Sequence, residues 1–130
     1  MSHRILQPDG WARPHGYANG IAAEGRQVFV SGQIGWDAAQ RIVSDEFAAQ
    51  ARQALANIVA VLATAGAMPE HLVRLTWFVT SRDEYNAALR EIGAAYRELI
   101  GRHYPAMSVV VVAGLLEPRA KVEIEATAVI

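Results

Sequence analysis

Apolar residues recur along this chain with two different periods, and the longer period predicts helices. In residues 44–65 they fall three or four positions apart, at Phe47, Ala51, Leu55, Ile58 and Leu62. This spacing places them on one face of a helix. Ser44 is the predicted N-cap, and Asp45 and Glu46 put negative charge beside the positive end of the helix dipole. Gly66 then provides a C-terminal stop.

A second helix is predicted to begin at Ser81. Ser81 and Glu84 have the spacing of a capping box, in which each side chain binds the backbone of the other residue. The helix ends before Gly101 and Pro105. Its apolar stripe comprises Tyr85, Leu89, Ile92, Tyr96 and Leu99.

Strands are predicted wherever short apolar runs lie between turn residues. They cover residues 26–34, 71–80, 106–113 and 121–129, with a further strand around 19–23 and a short edge strand near the N-terminus. Gly32 lies inside the first of these runs. A glycine there indicates a bulge, or a group that approaches the backbone closely.

The order of elements is β-β-α-β-α-β-β, which predicts one α+β domain over residues 1–130. Its mixed sheet would carry two helices on one face. Residues 109–112 are four consecutive valines, so their side chains point to both sides of the sheet. The uncovered face would then be buried by self-association or by a loop or terminal segment, and we favour self-association.

Composition excludes several classes of function. The 130 residues are 52% hydrophobic, carry a net charge of −1 and include no cysteine. Disulfides and Cys-ligated zinc are therefore excluded, and nothing favours nucleic acid as a partner. There is no apolar run of membrane-spanning length and no secretory signal. We expect a cytoplasmic protein with no membrane association.

The last predicted strand carries a pair of carboxylates, Glu123 and Glu125, on one side. From the residues alone, an ordinary amphipathic strand with a solvated polar face is the more common explanation of such a pair. The alternative is that one carboxylate lies in a cleft between subunits and handles a water molecule or a proton. The four histidines have no metal-ligand spacing, so no metal site is predicted.

Several segments, in this order, resemble the YjgF/RidA family (reactive intermediate deaminases). They are Gly16-Tyr17, Asn19-Gly20, and residues 30–34, 50–58, 76–79, 104–106 and 122–126. The resemblance covers nearly the whole chain. It implies the chorismate mutase-like YjgF fold and a homotrimer with clefts between its subunits.

The resemblance also implies an activity. The family hydrolyses reactive enamines and imines, such as 2-aminoacrylate, to keto acids and ammonia, without a cofactor. A glutamate that matches Glu123 positions the attacking water. The tyrosine that matches Tyr17 assists orientation, and the backbone at Gly32 lines the cleft. By this resemblance Glu123 and Tyr17 are the candidate catalytic residues and Gly32 is a candidate substrate-binding residue.

This chain departs from the family at Met107, where the substrate carboxylate is normally bound by an arginine. A thioether cannot form that ion pair, so we expect a less charged or aromatic imine as substrate, with Met107 and Val109 forming an apolar cleft wall. Arg119 or Arg90 is the candidate replacement cation. A non-catalytic trimer that binds a small ligand is the alternative. Ribonuclease activity is a third possibility. The slightly acidic composition of the chain argues against it.

Overall fold

The structure, a computed structural model, describes residues 3–130. Its strands are β1 (Arg4–Leu6), β2 (Gly20–Ala22), β3 (Gln27–Ile34), β4 (Leu72–Val79), β5 (Ala106–Val111) and β6 (Val122–Val129). Its helices are α1 (Phe47–Thr64), α2 (Arg82–Ala87) and α3 (Leu89–Leu99), and a single 3-10 turn covers Pro69–His71.

Strand β6 is central to a four-stranded mixed sheet of order β3-β6-β4-β5. It pairs antiparallel with β3 and with β4, whereas β4 and β5 run parallel. A parallel pair needs a crossover connection, which α2 and α3 supply. Strands β1 and β2 form a separate antiparallel pair. The predicted α+β arrangement, with a mixed sheet and helices against one face, is confirmed.

One face of this sheet packs on the helices because β6 alternates strictly. Val122, Ile124, Ala126 and Ala128 are buried, whereas Glu123, Glu125 and Thr127 point to the other side. The stripe of α1 meets the buried face, and Leu55, Ile58 and Leu62 have no exposed surface. The periodicity of 3.6 in α1 and that of 2 in β6 therefore produce the same core.

The N-cap of helix α1 is Glu46, two residues later than the predicted cap at Ser44. The hydroxyl of Ser44 accepts from the backbone N–H of Glu46 (3.0 Å), which closes a turn before the helix rather than capping it. Glu46 has extended backbone angles at the N-cap and gives no side-chain hydrogen bond to the helix. The prediction that Ser44 caps α1 is wrong, because its hydroxyl satisfies the nearer N–H.

The second predicted helix is divided at Ala88 into α2 and α3. The cap at Ser81 is confirmed, since its hydroxyl accepts from the N–H of Glu84 at 3.1 Å. At the division the stripe shifts by one residue, so that Ala88 is buried and Leu89 is 49% exposed. The shift lets Tyr85 pack edge-on against aromatic rings of α1 and β4 while Ile92 still reaches the core.

Strand β5 is the edge of the main sheet, and its valines are exposed in a single chain. Val109, Val110 and Val111 keep 38%, 41% and 52% of their surface accessible. Across the uncovered face, Phe29 on β3 is 71% exposed. Edges and apolar faces of this kind are the usual places of association between chains.

Candidate active site

The candidate site begins where β3 passes β6, because the carboxylate of Glu123 lies against the backbone of Gly32. The pairing of the two strands shifts register between Val30 and Gln33, which is the bulge that the glycine predicted. A Cβ atom at Gly32 would lie 2.7 Å from Cδ and 2.9 Å from Cγ of Glu123, and closer still to Oε2. Only glycine leaves room for this carboxylate. The bulge and the close approach predicted at Gly32 are confirmed, whereas its role in binding substrate stays a prediction.

Glu123 lines a cavity of about 300 Å³ that contains two carboxylates and no cationic side chain. Its walls are formed by Gly32, Ile34, Trp36, Leu116, Glu117 and Glu123. Trp36, Leu116 and Glu117 lie outside the sequence segments that resemble the family. Leu116 and Glu117 belong to the loop before β6, which reaches the cavity through tertiary contacts that sequence periodicity does not report.

Helix α1 positions both walls of this cavity through two amide side chains. Asn57 donates to the carbonyl oxygens of Trp36 (2.9 Å) and Ile34 (3.3 Å). Gln50, which is fully buried, donates to the carbonyl of Arg119 (3.0 Å) and accepts from the N–H of Lys121 (2.8 Å). The bend after β3 and the loop before β6 are thereby attached to the same helix.

Met107 and Val109 lie on the opposite side of the sheet from Glu123. Met107 pairs with Leu75, whose side chain is in the helix-covered core, and packs against that core itself. The residues of β5 that share the face of Glu123 are instead Ser108 and Val110. Within one chain the two predicted wall residues therefore do not meet the Glu123 cavity.

Arg119 binds Asp45 and does not line the Glu123 cavity. Its Nη2 lies 2.9 Å from Oδ1 of Asp45, and the guanidinium holds the pKa of that carboxyl below its usual value. Lys121 similarly binds Glu84 at 2.7 Å, and this hydrogen bond raises the pKa of the lysine. Arg90 is an exposed residue in the first turn of α3. Neither candidate arginine is beside Glu123 in a single chain.

Tyr17 lies in a second cavity, of about 480 Å³. The segment before β2 is attached to β5, since the N–H of Ala18 donates to the carbonyl of Pro105 (3.0 Å) and Ala18 forms a bridge with Ala106. Tyr17 is thus held beside the start of the strand that carries Met107. The polar and aromatic lining of this cavity comprises Gln7, Trp11, Arg13, Tyr17, Arg102, His103 and Tyr104.

Three histidines that are distant in sequence converge in the fold. His3, His71 and His103 line one pocket with Glu70, and the rings of His3 and His71 are 6.4 Å apart. In residues 3–130, no group of three or more His, Cys, Asp or Glu side chains is placed to hold a metal ion. Nor does any helix in this part of the chain have the length and apolarity needed to cross a membrane.

Comparison with known proteins decides the family. A family model described as "Endoribonuclease L-PSP" matches residues 11–130. The 2-iminobutanoate/2-iminopropanoate deaminase of Salmonella typhimurium is 34% identical over 99% of this chain and 98% of its own length. The chain belongs to the YjgF/RidA family.

Solved structures of this family show the same fold. YyfB of Yersinia pestis, a Rid protein of unknown function, has a TM-score of 0.86 and 34% identity, with full coverage of both chains. The YjgF gene product of Escherichia coli has a TM-score of 0.68 and 34% identity over 87% of each chain. The YjgF-type fold expected from the sequence motifs is confirmed.

Proposed function

We propose that this protein is an enamine/imine deaminase-like hydrolase, with Glu123 as the residue that activates water. The observation that carries the proposal is the placement of Glu123, whose carboxylate lies against the side-chain-free backbone of Gly32 in a cavity large enough for a small imine. Relatives of this chain, including the Salmonella typhimurium protein, are named imine deaminases.

The chemistry needs one general base and a water molecule. As the water oxygen forms its bond to the imine carbon, the Glu123 carboxylate accepts the proton that the water releases. The nitrogen takes up that proton, which gives a neutral carbinolamine and restores the carboxylate. The hydroxyl proton of the carbinolamine then passes to the nitrogen through the same carboxylate as the C–N bond breaks, so that ammonia leaves and a carbonyl group remains on the carbon. The protein is regenerated and no electrons are transferred, so no cofactor is required.

The complete site would form between subunits of a homotrimer. Glu123 and Tyr17 line separate cavities in one chain, and each cavity is open to the surface. The exposed valines of β5 and Phe29 supply apolar surface that association would bury. Tyr17 of one subunit would then orient a substrate that Glu123 of another subunit attacks.

The native substrate would differ from that of relatives with an arginine at the position of Met107. The methionine offers a polarizable apolar surface in place of a fixed cation. With Val109 it would form one apolar wall of the assembled cleft, which favours a less charged or an aromatic imine. Arg119 could contribute there only by leaving Asp45.

A specific observation favours the alternative of a non-catalytic trimer that binds a small ligand. The Glu123 cavity contains two carboxylates and no cation, so it repels a small anionic keto acid or imino acid. If nothing else neutralises this charge, the fold would retain a cleft without the family's reaction.

Ammonia release from enzymatically generated imines distinguishes the two functions. We expect the wild type to accelerate hydrolysis of an imine with an aromatic side chain, and Glu123→Gln to lower kcat by about 100-fold or more, because general-base catalysis contributes that much. Glu125→Gln is the matched control: it lies on the same face of β6 but outside the cavity, and should stay within about two-fold of the wild type.

Met107→Arg tests whether the cleft itself is intact. If the wild type hydrolyses no imine but Met107→Arg hydrolyses 2-aminoacrylate, the native protein is the binding trimer and the hydrolase proposal is wrong. Equal rates of hydrolysis for the wild type and Glu123→Gln would refute the proposal that Glu123 activates water.

A further inference from the structure

The Tyr17 cavity is cationic, in contrast to the Glu123 cavity. Arg13 and Arg102 both line it, and no carboxylate is among its lining residues. Within residues 3–130 neither guanidinium forms an ion pair. Two arginines without carboxylate partners in one concave site are a ready place for an anion, since the fork of a guanidinium matches a carboxylate.

The Arg102 side of the cavity is held rigidly. The carbonyl of His103 accepts from the hydroxyl of Tyr96 (2.6 Å), and the His103 ring donates to the carbonyl of Leu72 (2.6 Å). The next residue, Tyr104, stacks on Tyr96 with ring centroids 5.2 Å apart. The backbone on which Arg102 stands is thus fixed before any ligand binds, which lowers the entropy cost of binding.

The Arg13 side is organised by Gln7. The amide of Gln7 donates to the carbonyls of Trp11 (3.4 Å) and Ala12 (3.3 Å), and its oxygen accepts from Asn19 (2.8 Å). These bonds fold the segment before β2 so that Trp11, 62% exposed, and Arg13 both line the cavity. An exposed indole beside a cation is suited to an aromatic ligand that carries an anionic group.

We propose that Arg13 and Arg102 bind the carboxylate of an aromatic substrate, in the role left vacant by Met107, while Trp11 and Tyr17 contact its ring. The location fits this role because Tyr17 is anchored through Ala18 to the segment immediately before Met107. The cavity volume of about 480 Å³ accommodates such a molecule. This inference rests on the proposed function for the identity of the substrate, although the anion site can be tested without catalysis.

Calorimetric titration of the purified full-length protein with phenylacetate tests the site. We expect 2-phenylethanol, a neutral analogue, to bind at least 10-fold more weakly than phenylacetate. The double variant Arg13→Gln/Arg102→Gln should lose about 10- to 100-fold in affinity for phenylacetate, the cost of removing charge-assisted hydrogen bonds. The lysine pair, Arg13→Lys/Arg102→Lys, should bind more tightly than the glutamine pair because it keeps the charge.

Arg82→Gln is the matched control, since Arg82 is an exposed arginine of α2 that does not line this cavity. Its affinity should stay within about two-fold of the wild type. The inference is overturned if the wild type does not bind phenylacetate, or if the glutamine pair binds it as the wild type does.

The same variants separate this inference from the proposed function. Suppose that imine hydrolysis depends on Glu123 but is unaffected in the Arg13→Gln/Arg102→Gln variant. This result would uphold the hydrolase and refute the carboxylate site. Conversely, loss of phenylacetate binding in the glutamine pair, with no imine hydrolysed by the wild type, would uphold the site and refute the hydrolase. If both proposals are right, the glutamine pair raises KM for a carboxylate-bearing imine while kcat falls less.

Discussion

Replacing Gly32 by alanine tests the site through a single methyl group. The new Cβ would lie 2.7 Å from Cδ of Glu123, whereas ordinary contacts begin at 3.4 Å. Cδ must therefore move by about 0.7 Å, and Oε2, which is closer to the new atom, must move further. Gly32 does not have a positive φ, so the backbone itself accepts alanine without strain. The perturbation acts on the position of the carboxylate.

A displacement of this size should lower the rate of catalysis strongly and the stability of the fold only slightly. Misplacing a catalytic group by about 1 Å reduces rates by roughly 100-fold, which corresponds to about 2.7 kcal/mol of transition-state stabilisation. Glu123 is only partly buried and can rotate away, at a cost of about 0.5–1.5 kcal/mol for an unfavourable rotamer. We expect kcat/KM for imine hydrolysis to fall about 100-fold while the unfolding midpoint in urea changes little.

Gly114→Ala provides the control for this variant, because a Cβ at Gly114 would meet nothing within 4 Å. It should match the wild type in both assays. Gly32→Ala with unchanged kcat/KM would refute the argument that the position of Glu123 at Gly32 governs the reaction. A large loss of stability would show instead that the glycine serves the fold.

Three further predictions concern packing, assembly and pH. Gly35→Ala should lower the free energy of unfolding by about 1–3 kcal/mol in urea titrations, since its Cβ would lie 2.5 Å from the Cα of Gln50 and the helix backbone would have to move. Val110→Lys should convert the proposed homotrimer to monomers in light-scattering measurements, because it puts a charge on the uncovered face. Arg119→Gln should raise the pKa of Asp45 toward 3.8 in a carboxylate titration by NMR, and the stability that this pair contributes above pH 3.8 should vanish as pH falls through the depressed pKa.

Each of these has a result that contradicts it. Gly114→Ala again serves as the control for the packing variant, and equal stability of the two would show that α1 moves without cost. Val61→Lys is the control for assembly, because Val61 is 38% exposed on α1, away from the uncovered sheet face. A wild type with the mass of a monomer would refute the proposed homotrimer, and a Val110→Lys protein that keeps an oligomeric wild-type mass would place the interface elsewhere. Asp45 titrating at 3.8 in the wild type would show that the ion pair is not formed in solution.

Local sequence patterns predicted the elements of this fold well, and long-range contacts account for the differences. The α1 stripe and the alternation of β6 are local properties, and both were correctly identified. The start of α1 was not, because the hydroxyl of Ser44 binds the nearby N–H of Glu46, and the carbonyl of Ser44 and the carboxylate of Asp45 bind Gln50 and Arg119. The break at Ala88 likewise depends on the aromatic contacts of Tyr85, which no helical periodicity contains.

The site was predictable only in part. Glycine at position 32 signals a close approach from sequence alone, but the partner, Glu123, is fixed by the pairing of β3 with β6. The family resemblance predicts that Tyr17 and Glu123 act in the same cleft. Within a single chain, however, the two residues line separate cavities. The cationic character of the Tyr17 cavity depends on bringing together Arg13 and Arg102, which are almost ninety positions apart in the sequence. Neither arginine belongs to a motif, so only the fold reveals the pair.

The placement of Met107 is compatible with the proposed change of substrate, because it leaves the family fold undisturbed. Its side chain packs against the same core as Leu75, on the helix-covered side of the sheet. The aliphatic stem of an arginine would fill much the same space and extend its charged end outward. Exchanging arginine for methionine thus removes the cation and leaves the packing intact. Backbone similarity to YyfB or YjgF therefore carries no information about which ligand carboxylate is bound, or by which residue. In this chain the arginines proposed to bind a carboxylate, Arg13 and Arg102, line the Tyr17 cavity from loops rather than from β5.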